Sequence, residues 1–328
     1  MLGESGFMGS KSKKIDIVMA TYNGEKYISE QLDSIVNSED FNNHIKNIII
    51  VDDCSTDNTI NIISTYCAKY KNIIFTPCGE RKLGAAKNFE KGILLSSAPY
   101  VMLCDQDDIW LPNKISKSFE KIVELERREG NVPSLVFSDV SVVNSGLDVI
   151  YDSFLDLNKI NNMPSIEFLC FNNIAPGCTM ILNRTLIGIA FPMPENVIMH
   201  DWWLLLYALF CGKIDILYEQ TMLYRQHGNN TVGVKRNSLI RKIIYINKQW
   251  CDFVKNRERC IGQLELLFFS KNFKCNEKYV HIWNLFLLKP KVSSVFNMKY
   301  WVDQFRTEMT VFRRLFLILY CLMTVVKK

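Results

Sequence analysis

The sequence predicts an α/β protein, a doubly wound and mostly parallel sheet flanked by helices, with a helical extension at its C-terminal end. Three observations predict it. Short apolar, β-branched runs alternate with segments of helical period through the first third of the chain. Each run ends in a polar cluster, where the carboxyl end of a strand would open onto a binding crevice. Beyond Asn237 the recurring pattern is helical, rich in aromatics and positive charge.

Taken in order, Ile15 to Ala20 barely alternates and reads as a buried first strand, and Thr21-Tyr-Asn-Gly24 supplies turn chemistry after it. Glu25 to Val36 places Tyr27, Ile28, Leu32, Ile35 and Val36 at helical spacing. The second strand, Ile48 to Val51, runs into Asp52-Asp-Cys-Ser-Thr-Asp57, with Asp57 suited to cap a helix from Thr59 to Tyr70. Ile73 to Thr76 is a third strand, and Gly84 precedes a third helix, Ala85 to Leu95. Val101 to Cys104 is a fourth strand ending abruptly in Asp105-Gln-Asp-Asp108, before an amphipathic helix from Lys114 to Arg128. Leu135 to Phe137 and Thr179 to Leu182 are further short strands, and Met199-His-Asp-Trp-Trp203 opens an apolar helix.

Bulk properties narrow the function. The chain has 328 residues, 48% hydrophobic and 22% charged, enough for one large domain or two ordinary ones. Its eleven cysteines contain no CxxC pair, and read as small buried hydrophobes in a reducing compartment rather than a disulfide framework or zinc site. An intracellular protein is expected. Residues 1–14 lack the apolar core of a secretion signal and read as a loose leader. The expected domain spans residues 15–234. From Lys235 onward, 19 Lys and Arg face 6 Asp and Glu, a balance of +13 that leaves −8 for the preceding residues. An acidic body with a basic tail implies an anionic partner, a membrane surface or nucleic acid.

Four polar clusters fall at the expected strand ends: Thr21 to Asn23, Asp52 to Asp57, Gly84 to Asn88, and Asp105 to Asp108. No GxGxxG follows the first strand and no GxxxxGK[ST] occurs, which argues against dinucleotide dehydrogenases and P-loop enzymes. Asp53 is suited to accept the imide N–H of a uracil or thymine, with Thr21, Tyr22 and Asn23 framing base and ribose. Gly84 and Ala85 allow close backbone approach, and Lys87 and Asn88 offer donors to ribose or phosphate. Three carboxylates so close resist ionising together, a penalty that Mg²⁺ or Mn²⁺ would remove. An acidic turn capping the next helix is the plainer alternative.

Ala20-Thr-Tyr-Asn-Gly24, Val51-Asp-Asp-Cys-Ser-Thr-Asp57, Leu83-Gly-Ala-Ala-Lys-Asn88 and Asp105-Gln-Asp-Asp108, in this order, resemble the nucleotide-sugar half of family 2 glycosyltransferases with the GT-A fold. The resemblance covers roughly residues 15 to 230 and is closest to bacterial rhamnosyltransferase-like members that build surface polysaccharides. It implies that Asp53 holds the base, Asp105 the ribose or a metal-bound water, and Asp107 the metal. It also places the loop of Gly177 beside the donor sugar and makes Asp201 the base for inverting transfer. On the residues alone, Gly177 also suits a plain Pro-Gly turn and Asp201 a helix N-cap. Trp202 offers a stacking face for a sugar or fills the core. Arg225 is suited to neutralise a diphosphate, and His227 to ligate the metal or meet the leaving phosphate.

The expected donor is a nucleoside-diphosphate sugar, either dTDP-rhamnose or a UDP-hexose or N-acetylhexosamine. The acceptor is a glycan, lipid-linked in the leading reading. Arg313-Arg314, twelve uncharged residues and Lys327-Lys328 form a segment too short to cross a bilayer but suited to an anionic interface. That places the protein in the cytoplasm, peripheral at the inner face of the membrane. A helix packed on its own domain or within a homo-oligomer explains the segment equally. No nucleic-acid-binding signature occurs. Two other classes compete: a nucleotide-sugar-binding protein without catalysis, and an inverting glycosidase, which would not need the clusters at Asp53 and Asn88.

Overall fold

The computed structural model describes residues 14–227 and 246–273. Within them lies one mixed sheet of nine strands: β1 (Ile15–Thr21), β2 (Ile45–Asp52), β3 (Ile73–Thr76), β4 (Tyr100–Cys104), β5 (Ile109–Trp110), β6 (Ser134–Val143), β7 (Val149–Tyr151), β8 (Met180–Asn183) and β9 (Lys213–Arg225). The order is β3-β2-β1-β4-β8-β6-β9-β5, with β7 paired to β6. The first four strands are mutually parallel, as expected for a doubly wound half. Beyond them β8 runs antiparallel to both β4 and β6, whereas β9 returns parallel to β6.

Register explains why the polar clusters share one rim. Thr21 pairs with Asp52 and Met19 with Cys104, so β1, β2 and β4 end side by side and their loops leave the sheet together. Successive β1 residues face opposite sides, as pleating requires. Val18 joins the core layer of Phe89 and Ile93, whereas Ile17 and Met19 join that of Ile28, Leu32 and Ile115.

The helices are α1 (Ile28–Val36), α2 (Phe41–His44), α3 (Thr59–Lys69), α4 (Ala85–Leu95), α5 (Lys114–Glu129), α6 (Phe154–Leu157), α7 (Ile166–Leu169), α8 (Arg184–Ala190), α9 (His200–Cys211) and α10 (Ile246–Phe268). α4 lies close on the sheet because Gly92 has no side chain; a Cβ there would stand 2.4 Å from Val18 Cγ1. α9 is apolar around most of its circumference and is buried accordingly, with Trp203, Leu204, Leu205, Leu206 and Tyr207 fully enclosed.

α10 lies in the basic helical C-terminal region, and it contributes to the main core. Cys260, Leu264 and Leu267 are buried in the layer that holds α9, and Ile198 N–H donates to Gln263 Oε1 at 2.8 Å. Among the described residues no helix is long and apolar enough to cross a membrane. The segment from Arg313 to Lys328 and the leader before Lys14 lie outside the described residues.

The cysteine reading is corrected at one pair. Cys54 and Cys78 form a disulfide with Cα atoms 4.9 Å apart. β2 and β3 pair in parallel up to Val51 and Thr76, so residues just beyond each strand meet, a proximity that cysteine spacing alone conceals. Cys104, Cys170, Cys178 and Cys260 are buried, as small hydrophobes.

Candidate active site

A cavity of about 690 Å³ opens at the carboxyl rim of β1, β2 and β4. Most of the residues expected in a site line it: Thr21, Tyr22, Asn23, Asp53, Gly84, Asn88, Asp105, Asp107, Gly177, Asp201 and His227. They arrive from seven separate segments. Strand ends and the first turns of α4 and α9 supply most of them, because those are the points where the chain leaves the sheet.

The β1 and β2 loops form a closely hydrogen-bonded wall. Thr21 Oγ1 donates to Asp52 Oδ1 at 2.9 Å. Asn23, at φ 48°, donates its N–H to Ser55 Oγ and accepts at Oδ1 from Thr56 N–H. Gln106 bonds the Tyr22 backbone twice, accepting from N–H at 2.9 Å and donating to the carbonyl at 3.0 Å. Asp53 accepts Leu83 N–H at 2.6 Å and Gly84 N–H at 2.9 Å, which fixes the loop before α4. Gly84 has φ 81°, a left-handed conformation that a side chain would strain.

The acidic loop after β4 faces this wall. Asp107 Oδ2 and His227 Nε2 are 2.8 Å apart, and the His227 ring stacks on Tyr27 at 5.0 Å. Burial, then the charges of Asp107 and Asp201, raise Asp105 from the ordinary 3.8 to about 7. Asp108 is driven well above the carboxylate range by burial first and by Asp107 and Asp105 next. Such a cluster is relieved by a cation. Oxygen and imidazole donors on Asp107 and His227, converging from two segments, could hold a divalent cation. Asp105, Asp108 and Cys178 form a second group whose donor atoms lie within 4.8 Å of one another. Burial and the two carboxylates push the Cys178 thiol well above its usual range, which keeps it protonated and suits a hard cation poorly.

On the remaining side, β8 and α9 bring Gly177, His200 and Asp201. Burial raises Asp201 from 3.8 to about 6, although Trp202 N–H donates to its Oδ1 at 2.6 Å. His200 is buried and stacks on Phe89 with centroids 3.9 Å apart.

Two expected residues lie elsewhere. Arg225 is 2% exposed and does not line the cavity; its guanidinium is held by Asp107 O, Ser145 O and Glu30 Oε2 at 2.8, 2.9 and 2.5 Å. It braces the acidic loop from behind. Trp202 is buried, with Nε1 donating to Leu169 O at 3.0 Å, in the core rather than on the cavity wall. Conversely, Lys26 and Lys82 line the cavity without having been expected there, and Gln106 and His200, parts of expected motifs with no role assigned, line it too. Lys82 Nζ sits 3.2 Å from the centroid of the Tyr22 ring. Its place directly before Leu83-Gly84 was the available signal.

Comparison with known proteins shows the family and the fold. Residues 16–167 match the family model for glycosyl transferase family 2. A dTDP-rhamnosyl transferase of Shigella flexneri is 32% identical over 250 residues, 71% of this chain and 80% of that protein. An uncharacterized Mycobacterium bovis protein is 28% identical over 216 residues, 66% of this chain and 59% of its own length. The crystal structure of S. aureus TarS residues 1–349 with UDP-GlcNAc superposes with a TM-score of 0.55 at 16% identity, covering 96% of this chain and 88% of that one. At that identity the likeness concerns the fold, which is the GT-A type.

Proposed function

This chain belongs to glycosyl transferase family 2, and we propose that it performs an inverting, metal-dependent transfer of a sugar from a nucleoside diphosphate to a glycan hydroxyl. The observation that carries this reading is the meeting of Asp53, Asp107, His227 and Asp201 around one cavity. Asp53 and the Thr21 to Asn23 loop hold the nucleoside. Asp107 and His227 hold Mn²⁺ or Mg²⁺, which offsets negative charge on the departing diphosphate. Asp201, across the cavity, takes the acceptor hydroxyl's proton as the anomeric carbon is attacked. A base raised to about 6 remains ionised at neutral pH while matching its task more closely than an ordinary aspartate.

The Shigella relative supports dTDP-rhamnose as donor, and the TarS complex with UDP-GlcNAc supports a UDP-linked sugar. The +13 balance after residue 234 supports a lipid-linked acceptor met at an anionic membrane surface, in assembly of a surface polysaccharide. The same distribution supports peripheral attachment at the inner face, with residues 15–234 as the body of the transferase and α10 packed into its core. A binder without catalysis would have no use for a carboxylate opposite the diphosphate.

The deciding experiment combines thermal shift with transfer assays across dTDP- and UDP-sugars, each with Mn²⁺, Mg²⁺ or EDTA. We expect one donor class to stabilise the protein in the presence of metal and to be turned over. Stabilisation by nucleotide sugars without turnover on any glycan acceptor would favour the binding protein, and EDTA-insensitive transfer would remove the metal.

A further inference from the structure

Two buried side chains on one wall of the cavity carry polar atoms that no protein group meets. Both ring nitrogens of His200, 4% exposed, lack a hydrogen-bond partner. Asn88, 1% exposed, donates Nδ2 to Val51 O at 2.7 Å and leaves Oδ1 unpaired. Both line the cavity, and α4 ties them to one region of it, since Phe89, next to Asn88, stacks on the His200 ring with an interplanar angle of 22°. The turn at Gly177 also confines the imidazole; a Cβ there would stand 2.7 Å from Nε2. Burial lowers His200 to about 3, so the ring is neutral and offers one donor and one acceptor. Native interiors leave few such atoms unpaired, and each requires a physical reason.

The surrounding charge selects what would satisfy them. Asp201, next to His200 on α9, lines the same cavity, so another carboxylate brought to this wall would be repelled, whereas hydroxyls both donate and accept without charge. We propose that Asn88 and His200 read hydroxyls of the transferred sugar, and that the site therefore takes an uncharged sugar in preference to a uronic acid. This rests on the transferase reading above and adds the substrate class to it.

His200→Phe retains a ring to stack on Phe89 and removes both nitrogens. In the full chain, kcat/KM for the nucleotide sugar should fall about ten- to hundredfold, while the Kd of the matching nucleoside diphosphate stays within about twofold. The thermal midpoint should hold or rise, because unpaired polar atoms have given way to carbon. A donor lacking one ring hydroxyl should be penalised by the native enzyme and not by the variant, and His200→Gln, which restores a donor and an acceptor, should recover part of the loss. With native turnover as the control, unchanged donor kinetics in His200→Phe would overturn the inference and leave the transferase standing. Equal weakening of nucleoside diphosphate and nucleotide sugar would overturn it too. So would native turnover of a UDP-uronate matching that of the neutral hexose.

Discussion

The two sides of the cavity are built on opposite principles. On the side of the β1 and β2 loops, polar groups are committed to one another: Asp53 to two backbone amides, Asn23 to Ser55 and Thr56, Gln106 to Tyr22. Across it, where α4 meets α9, His200 and Asn88 keep unpaired atoms and Asp201 is held far from its ordinary ionisation. The first side is a mould that exists before ligand arrives. The second is poised, its groups left unsatisfied by the fold and therefore available to a reacting molecule. Substitutions on the first side should change stability and nucleotide affinity; substitutions on the second should change turnover.

The sharpest division is expected at Asp201. Asp201→Asn keeps the shape and removes the proposed base, so kcat should fall at least about a hundredfold with donor affinity nearly unchanged. The pH dependence has a fixed sign. Native kcat should rise with pH through about 6, as the carboxylate ionises, and then level off. Stability should move the other way, because a carboxyl raised in the folded state contributes stability below the unfolded value of 3.8 that is lost as pH climbs through about 6. Asp201→Asn should therefore unfold later than the native chain at pH 8, by about 2–3 kcal/mol. A variant less stable and still active would reverse the comparison.

Asp53 tests the other side. Asp53→Ala removes the acceptor of two amides on the loop before α4, and each charged hydrogen bond contributes about 1.5–3 kcal/mol. We expect a lowered thermal midpoint and a donor KM raised about tenfold or more, with kcat for bound donor falling far less. Equal losses in kcat and kcat/KM would show that this side also takes part in the transition state.

Much of this was legible because it is local. β1, β3 and α4 follow from continuous apolar runs and from Gly84, and the convergence of Asp53 and Asp107 follows from acids placed at strand ends, whereas Asp201, in the first turn of α9, was expected there through the family resemblance. What was hidden depends on partners far along the chain. β9 carries Lys213, Asp215 and Glu219 among its apolar residues and becomes a strand through pairing with β6, which it extends to Val143. α1 starts at Ile28 rather than Glu25 because Tyr27 N–H closes a turn onto Gly24 O. Arg225 has the composition of a phosphate ligand, yet Glu30 and Ser145, distant in sequence, hold it behind the acidic loop. An exposed lysine such as Lys82 is separated from ordinary solvated charge only by its place beside Leu83-Gly84.

That lysine gives the smallest effect expected and a fine test of the comparison. The cavity is lined by Asp53, Asp105, Asp107 and Asp201 against Lys26 and Lys82, so a diphosphate entering it meets few fixed cations once Arg225 is withdrawn. Lys82 belongs to the committed side by position, but its ammonium rests on the exposed Tyr22 ring, a contact weak enough to exchange for a phosphate oxygen. Lys82→Gln should raise donor KM about three- to fivefold and leave kcat alone, and the difference from the native chain should shrink as salt screens the charge. Lys82→Arg should stay near native. A loss in kcat instead would mean that Lys82 meets the charge that develops during bond breaking, and the division between a binding side and a reacting side would then run through the loop before α4 rather than beside it.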